Sequence, residues 1–205
     1  MRIELEGGCR VVDLKEGTPV ERGTQRVWDH FKSRLSMRVI DIDGDATFGH
    51  PAQDEVLYNL GTDTGVYVPA GQTVTLRGPA TFVSAFTDAE PRRRHPITAR
   101  LEDQPVQQTG DRWYRELIQC EVTQFVGSIP PGRAPDHFHL YEEVICVLQG
   151  EGVMWASASS TPVRPGSCIF LPIRQRHCLQ NTGSGELRLL GVFYPAGSPA
   201  VRYPT

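Results

Sequence analysis

Three histidines and one glutamate have the types and the spacing of a metal site. His137 and His139 are separated by one residue, Glu143 follows shortly after, and His177 stands in the later stretch GSCIFLPIRQRHCLQN (166–181). Residues i and i+2 of a β-strand point to the same face, so a strand would present both imidazoles on one side. Alternation can bring the Glu143 carboxylate toward the same interior. His177 completes the set if residues 166–181 form the facing hairpin.

Such a ligand set suits a divalent first-row transition ion. Imidazole binds Fe, Ni, Cu or Zn, and one carboxylate adds hard character and charge. Four protein ligands leave up to two positions open on an octahedral ion, which is typical of a catalytic site. A lone histidine is usually a core or surface residue, but here four ligand types fall at matching offsets. We therefore expect one ion per chain, among Fe, Zn, Ni, Mn, Co and Cu.

The elements that must position these residues are predicted to be short strands. The chain has 20 glycines and 16 prolines, which separate runs rich in Val, Ile, Phe, Tyr and Thr. Strands of this length and spacing favour an antiparallel sandwich or barrel over βαβ units. The stretch RVWDHFKSRL (26–35) is the best helical candidate. The runs include EVLYNL (55–60), ATFVSAF (80–86), EEVICVLQGEGVMWAS (142–157), SCIFLP (167–172) and ELRLLGVFY (186–194).

A weak internal repeat indicates that the chain consists of two related halves. Residues 54–86 and 142–194 share an order of features, in which an acidic residue, an apolar strand and a glycine turn are followed by further strands. Two copies would make a two-barrel chain whose boundary lies in the charged stretch from about Asp88 to Gly110. Near Glu55 the first half has only His50, so we expect that half to be structural and metal-free.

The spacing of the ligand-type residues resembles the two motifs of the cupin superfamily. The first motif is glycine, His-x-His, glutamate and glycine, and the second is glycine, Pro-x-Gly, histidine and asparagine. This chain has one residue fewer after the first glycine and an arginine in place of the glycine of Pro-x-Gly. The matching residues are Gly132, His137, His139, Glu143 and Gly150, then Gly166, Pro172, Arg174, His177 and Asn181.

The resemblance implies an all-β fold of double-stranded β-helix (jelly-roll) barrels in a bicupin arrangement with few short helices. It implies a degenerate, metal-free cupin-like half over residues 1–90, a linker over 91–112 and a metal-binding cupin domain over 113–205. The metal ligands that it implies are His137, His139, Glu143 and His177.

The resemblance leaves the activity open among three classes, of which we favour an enzyme. The first is a metal-dependent isomerase or lyase acting on a hydroxy- or oxo-acid or a sugar acid, and the order of the two halves resembles the uronate-isomerase bicupins. The second is an Fe-, Ni- or Cu-dependent dioxygenase of an enol or phenol-type substrate. The third is a non-enzymatic cupin that binds a small ligand. In each case the expected partner is a small molecule.

Candidate catalytic residues lie close to the ligands in sequence. Tyr141 and Glu142 are the nearest candidates for a general base, although alternation can turn Glu142 away from the ion. Arg133, Arg174 and Arg176 are candidate clamps for a substrate carboxylate. An exposed charge at the rim of a barrel explains each arginine equally well.

The strand period also predicts which neighbours share the ligand face. Phe138 should point opposite to the histidines, whereas Ile145 and Val147 should share the face of Glu143. Ile169 and Leu171 are candidates for the same interior across the barrel.

Bulk properties exclude several classes of protein. A net charge of -3 argues against a nucleic-acid surface, and no apolar run approaches the roughly 18 to 20 residues that span a bilayer. The start, MRIELEGGCR, lacks the apolar region of a signal peptide. Five cysteines without a CxxC pair are typical of reduced thiols in the cytoplasm. We expect a cytoplasmic homodimer, because cupins frequently pair through exposed sheet edges.

Overall fold

The computed structural model describes residues 2–88, 95–201 and 203–204, and the chain consists almost entirely of antiparallel strands. In the described residues the only helical element is a 3-10 turn at Glu6–Gly8, so none is long and apolar enough to cross a membrane. The predicted all-β fold class is confirmed.

The strands are short and evenly distributed along the chain. The first eleven are β1 (Arg2–Glu4), β2 (Arg10–Asp13), β3 (Val20–Arg22), β4 (Gln25–Phe31), β5 (Ser36–Ile42), β6 (Ala46–Phe48), β7 (Gln53–Asn59), β8 (Thr64–Val68), β9 (Val74–Leu76), β10 (Ala80–Asp88) and β11 (Ile97–Arg100). The others are β12 (Gln107–Thr109), β13 (Arg112–Gln119), β14 (Thr123–Ile129), β15 (Gly132–Arg133), β16 (His137–Phe138), β17 (Glu142–Gln149), β18 (Gly152–Ala156), β19 (Ser159–Val163), β20 (Ser167–Leu171), β21 (His177–Asn181), β22 (Leu187–Tyr194) and β23 (Tyr203–Pro204).

The chain divides into two compact units. Unit 1 comprises Met1–Leu14 and Pro105–Thr205, and unit 2 comprises Lys15–Gln104. This division differs from the predicted one, which placed residues 1–90 in one half. The difference arises because β2 pairs with β20, so that Val11 lies opposite Ile169 and the N-terminal strands complete the sheet of unit 1. Within the predicted linker 91–112, β11 pairs with β8 and β12 pairs with β13, while residues 91–94 lie outside the described residues.

Unit 1 contains two sheets that enclose one apolar core. The larger has the strand order β1-β2-β20-β17-β22-β14-β13-β12, and the smaller runs β19-β18-β21-β16-β23 with β15 paired to β21. Strand β17 lies in the middle of the larger sheet, between β20 and β22. The core includes the four interior residues predicted from the strand period, which are Ile145, Val147, Ile169 and Leu171.

Unit 2 contains a seven-stranded sheet, β11-β8-β7-β10-β5-β4-β3, and the pair β6-β9. Its core holds Leu57 of β7, and alternation places Glu55 on the same face. The Glu55 carboxylate is 2% exposed and accepts hydrogen bonds from the Ser84 hydroxyl and from Arg38 Nη2, the latter at 2.6 Å. Unit 2 therefore neutralises its interior carboxylate with a side chain of its own.

The helix predicted over residues 26–35 is wrong. This stretch supplies β4, which pairs with both β3 and β5. Val27 lies opposite Ile40 and is buried in the core of unit 2. Sheet pairing on two sides outweighs the modest helical preference of such a short segment.

Candidate metal centre

The three histidines of the two motifs meet in unit 1. His137 on β16 is the backbone partner of His177 on β21, and His139 follows His137 on the same side. One ligand atom from each of the three imidazoles lies within 4.8 Å of the others. His139 and His177 are buried, and His137 is half-buried. The three form a cluster that could hold a metal ion.

Backbone carbonyls fix the protonation of two of the rings. His137 Nδ1 lies 3.0 Å from the Pro135 carbonyl oxygen, and His177 Nδ1 lies 2.8 Å from that of Gln175. A carbonyl oxygen only accepts, so Nδ1 donates its proton and Nε2 keeps a lone pair, as in most metal-bound histidines. Burial, together with the neighbouring His137, lowers the pKa of His177 to about 3. His177 is therefore neutral and ready to act as a ligand.

Glu143 brings an oxygen to the same point. Its Oε2 atom lies 3.5 Å from His139 Nε2 and 3.7 Å from His177 Nε2. The residue is 4% exposed, and this oxygen accepts no hydrogen bond from the residues that the structure describes. Burial raises the pKa of Glu143 to about 8. A buried carboxylate in this position is costly unless a cation neutralises it, so the donor set fits a divalent transition ion.

Aromatic packing holds His139 in place. The ring of Tyr141 stacks on it with centroids 4.8 Å apart and an interplanar angle of 13°, and Phe193 packs against both rings. The Tyr141 hydroxyl donates a hydrogen bond to the Ser198 carbonyl at 3.1 Å. Burial raises the pKa of Tyr141 well above its usual value. In this arrangement Tyr141 orients a ligand.

Arg174 serves the site through its backbone. It has a φ of 62°, a left-handed conformation that explains why the cupin motif has glycine at this position. Its N–H donates to the His139 carbonyl at 2.8 Å and ties the loop before His177 to the strand of the other histidines. Its side chain is exposed.

A cavity of about 100 Å³ opens beside the four donor residues. The other side chains on its wall are mostly apolar, and Arg112 is the arginine among the wall residues. The wall comprises His137, His139, Glu143 and His177, the apolar residues Phe125, Ile129, Ala134, Ile145, Leu179, Leu189, Phe193 and Pro199, and Thr109, Arg112, Trp113, Tyr114, Gly127 and Ser128.

The predicted catalytic residues lie outside this wall. Arg176 pairs with Asp136 at 2.7 Å, and Arg133 pairs with the same carboxylate at 3.2 Å. Tyr141 and Arg174 have the positions described above. The catalytic roles of Tyr141, Arg174 and Arg176 stay predictions.

Arg112 could not be recognised as a site residue from the sequence. No motif includes it, and it reaches the wall only because β13 folds against β12 and β14. Phe138, predicted to point away from the ligands, stacks on Tyr203 with centroids 5.5 Å apart.

Comparisons with known proteins agree with this arrangement. A family model described as "Cupin domain" matches residues 125–193, which contain all four donors. The oxalate-binding protein of Thermotoga maritima is 33% identical over 67 residues, which are 32% of this chain and 55% of that protein. The matched stretches span only 40% to 55% of the curated relatives, so whole-protein activities do not carry over.

Two solved structures have the same fold. Protein YlbA from E. coli has a TM-score of 0.78 at 10% identity, with 94% of this chain and 93% of that chain covered. Oxalate decarboxylase from Bacillus subtilis has a TM-score of 0.73 at 12% identity, with 92% and 78% covered. Likeness at such low identity concerns the fold alone.

Proposed function

The chain belongs to the cupin superfamily, and we propose that its unit 1 is a metal-dependent enzyme acting as a lyase or isomerase on a small hydroxy- or oxo-acid. The observation that carries this proposal is the meeting of three imidazoles and one buried carboxyl group at the wall of a cavity. A closed structural site would face no cavity, whereas this one leaves room for a ligand beside the donors.

The residues that would hold the ion are His137, His139, Glu143 and His177. A bound divalent ion would supply Lewis acidity toward the oxygens of an acid in the cavity. The chain contributes the rest of the site: the Pro135 and Gln175 carbonyls orient two imidazoles, and the stacked Tyr141 ring orients the third. The mostly apolar wall lowers the polarity around the donors, which strengthens electrostatic interactions inside the cavity.

The size of the cavity supports a small substrate. A volume of about 100 Å³ is well below the roughly 300 to 1,000 Å³ of pockets that bind drug-sized ligands. This room suits an acid of a few carbon atoms better than a sugar acid. The names of two similar proteins, an oxalate-binding protein and oxalate decarboxylase, refer to a small acid as well.

Elemental analysis of the purified protein tests the metal site. We expect about one divalent ion per chain in the wild type, and loss of that ion in His177→Ala. His50→Ala is the matched control, because this exposed histidine in unit 2 should leave the metal content unchanged. Wild-type protein that binds no divalent ion, or His177→Ala that keeps it, would contradict the proposal.

Substrate turnover tests the reaction class. The metal-loaded protein should convert at least one acid in a panel of two- to four-carbon hydroxy- and oxo-acids without consuming oxygen, as followed by NMR. Tight binding of an acid without turnover would instead assign the chain to the non-enzymatic binding cupins.

A dioxygenase is the second candidate, and the apolar wall supports it. Phe125, Ile145 and Phe193 offer dioxygen a non-polar environment next to the donors. Bound iron together with substrate-dependent oxygen uptake at an electrode would favour this activity over the isomerase or lyase.

For unit 2 we propose a degenerate, metal-free cupin half. Glu55 lies on the core face of β7 as Glu143 does on β17, and Arg38 supplies the positive charge beside it. Chelator treatment followed by hydrogen exchange tests this: protection should fall around His137–Glu143 and remain unchanged in β5, β7 and β10.

We also propose that the protein is a homodimer in a reducing compartment. The five cysteines form no disulfide, and four of them are buried, which suits packing in a reduced protein. Sedimentation under reducing conditions measures the oligomeric state, and a monomer at micromolar concentration would exclude the dimer.

A further inference from the structure

We propose that Arg112 binds the carboxylate of the substrate and thereby selects an anionic small acid for the cavity. The inference rests on the proposed function, because it names the group of the same cavity that recognises the acid. None of the arginines that the sequence suggested for this role lies on the cavity wall.

The position of Arg112 directs it to the interior. It begins β13, where it lies opposite Thr109 of β12. Alternation places it on the same face as Tyr114, which belongs to the core of unit 1. Its side chain is only 12% exposed, and the residue lines the same cavity as the histidines and Glu143. We therefore assign its guanidinium group to the wall of this mostly apolar cavity.

The guanidinium lacks a strong acceptor. Its Nε atom is buried and makes no hydrogen bond with the residues that the structure describes. The one ion pair that Arg112 makes there is with Asp111, whose carboxylate lies 3.7 Å from Nε and is 74% exposed. An ion pair with such an exposed carboxylate at this distance contributes little. A buried cationic donor without an acceptor is costly, so the cavity is poised for an anion.

A carboxylate is the anion that fits best. The guanidinium presents a planar set of donors that matches the two oxygens of a carboxylate. A small hydroxy- or oxo-acid has a second polar end with neighbouring oxygens, which would face the donor residues on the other part of the wall. The apolar side chains between the two polar regions suit the short carbon skeleton of such an acid.

The contrast with other arginines of unit 1 supports this assignment. Arg133 and Arg176 share the Asp136 carboxylate and have exposed side chains. Arg164 is 70% exposed and pairs with Asp13. These three have both water and a carboxylate partner, whereas Arg112 has little of either.

Titration calorimetry with matched probes tests the proposal. The probes are lactate, oxalate and malonate, with lactamide as the neutral counterpart of lactate, added to the metal-loaded protein. For the wild type we expect at least one acid to bind, and lactamide to bind more weakly than lactate. Arg112→Gln should weaken the binding of that acid about 10- to 100-fold, the range for a hydrogen-bonded charged group, with lactamide unaffected.

Two further variants and a metal measurement make the result specific. Arg112→Lys keeps the charge without the planar donors and should show a smaller loss, while Arg164→Gln should bind as the wild type does. Both Arg112 variants should retain the wild-type metal content and circular dichroism. Wild-type protein that binds none of the three acids, or Arg112→Gln that binds them with wild-type affinity, would overturn the proposal.

Titration of the metal-free protein with the same acids distinguishes this proposal from the proposed function. Trp113 lines the cavity, so quenching of its fluorescence can report acid binding without an ion. A loss of quenching in Arg112→Gln would support the anion site even in a protein that takes up no metal. If the protein takes up metal but Arg112→Gln binds the acids as the wild type does, the metal proposal stands and this one is refuted.

Discussion

Replacing Glu143 by glutamine should remove a pH-dependent loss of stability from the metal-free protein. Burial raises the pKa of Glu143 from 4.5 to about 8. The folded protein therefore holds this proton more tightly than the unfolded chain does. The stabilising contribution is complete below pH 4.5 and is lost as the pH rises through 8. Glutamine has the same shape and no proton to lose, so its stability should not follow this trend.

The interval from pH 6.5 to 8 isolates this effect. The pKa of His177 is lowered from 6.5 to about 3, so its contribution is present above pH 6.5 and is lost only as the pH falls toward 3. Between pH 6.5 and 8 the change therefore belongs to Glu143, at about 1.4 kcal/mol for each pH unit. The free energy of unfolding of the wild type should fall by about 2 kcal/mol relative to Glu143→Gln across this interval.

Urea denaturation of chelator-treated proteins at pH 6.5 and 8 measures this difference. Glu151→Gln, which changes an exposed carboxylate, is the control and should follow the wild type. A saturating divalent ion should abolish the wild-type trend, because the ion takes the place of the proton. Parallel profiles for the metal-free wild type and Glu143→Gln would show that this carboxyl is already ionised at neutral pH, which would refute the reasoning.

Three further substitutions test the framework around the site by thermal or urea denaturation. Arg174→Gly should raise the free energy of unfolding by up to about 1 kcal/mol, because glycine adopts a φ of 62° without steric cost; a clear loss would mean that the guanidinium has a structural partner. Gly191→Ala should cost about 1 to 3 kcal/mol, because the new Cβ atom would lie 2.3 Å from Phe125 Cζ, and unchanged stability would show that the ring moves freely. Asn181→Ala should cost about 2 to 3 kcal/mol, because its buried amide donates to two carbonyl oxygens at 2.7 and 2.8 Å; a cost below about 1 kcal/mol would show that water replaces it.

The metal-binding residues could be predicted from the sequence because their geometry is largely local. His137 and His139 need only the alternation of one extended segment, and Glu143 needs the strand that follows. His177 is more distant, but the backbone pairing of β16 with β21 brings it opposite His137. The fixed spacing of the residues within the two motifs therefore predicts this pairing from the sequence.

The position of Arg112 could not be predicted in this way. It depends on the pairing of β13 with β12 and β14, which no short pattern around Arg112 specifies. The place of the N-terminal strands in the fold could not be predicted from a short pattern either. Val11 and Val12 form an ordinary apolar pair, and only the long-range pairing of β2 with β20 assigns them to unit 1.

The mistaken helix has a specific geometric cause. Val27, Trp28, Phe31 and Leu35 are all buried, and their spacing resembles that of a helix. In the structure a register shift between Asp29 and Phe31 interrupts the alternation of β4. A β-bulge of this kind places consecutive apolar residues out of the simple period of two, so the sequence pattern cannot distinguish it from a helical turn.

The Arg38–Glu55 pair of unit 2 has a consequence for how the protein would respond to metal starvation. In unit 2 the counter-ion of Glu55 is Arg38, which belongs to the same chain, so the interior charge is balanced as soon as the strands pair. Under the proposed function, unit 1 instead takes up its positive charge from solution as a divalent ion. In a cell short of divalent ions, unit 2 would then be complete while unit 1 lacked its ion. Ions supplied later would fill the sites of the existing chains, so no new protein synthesis would be needed.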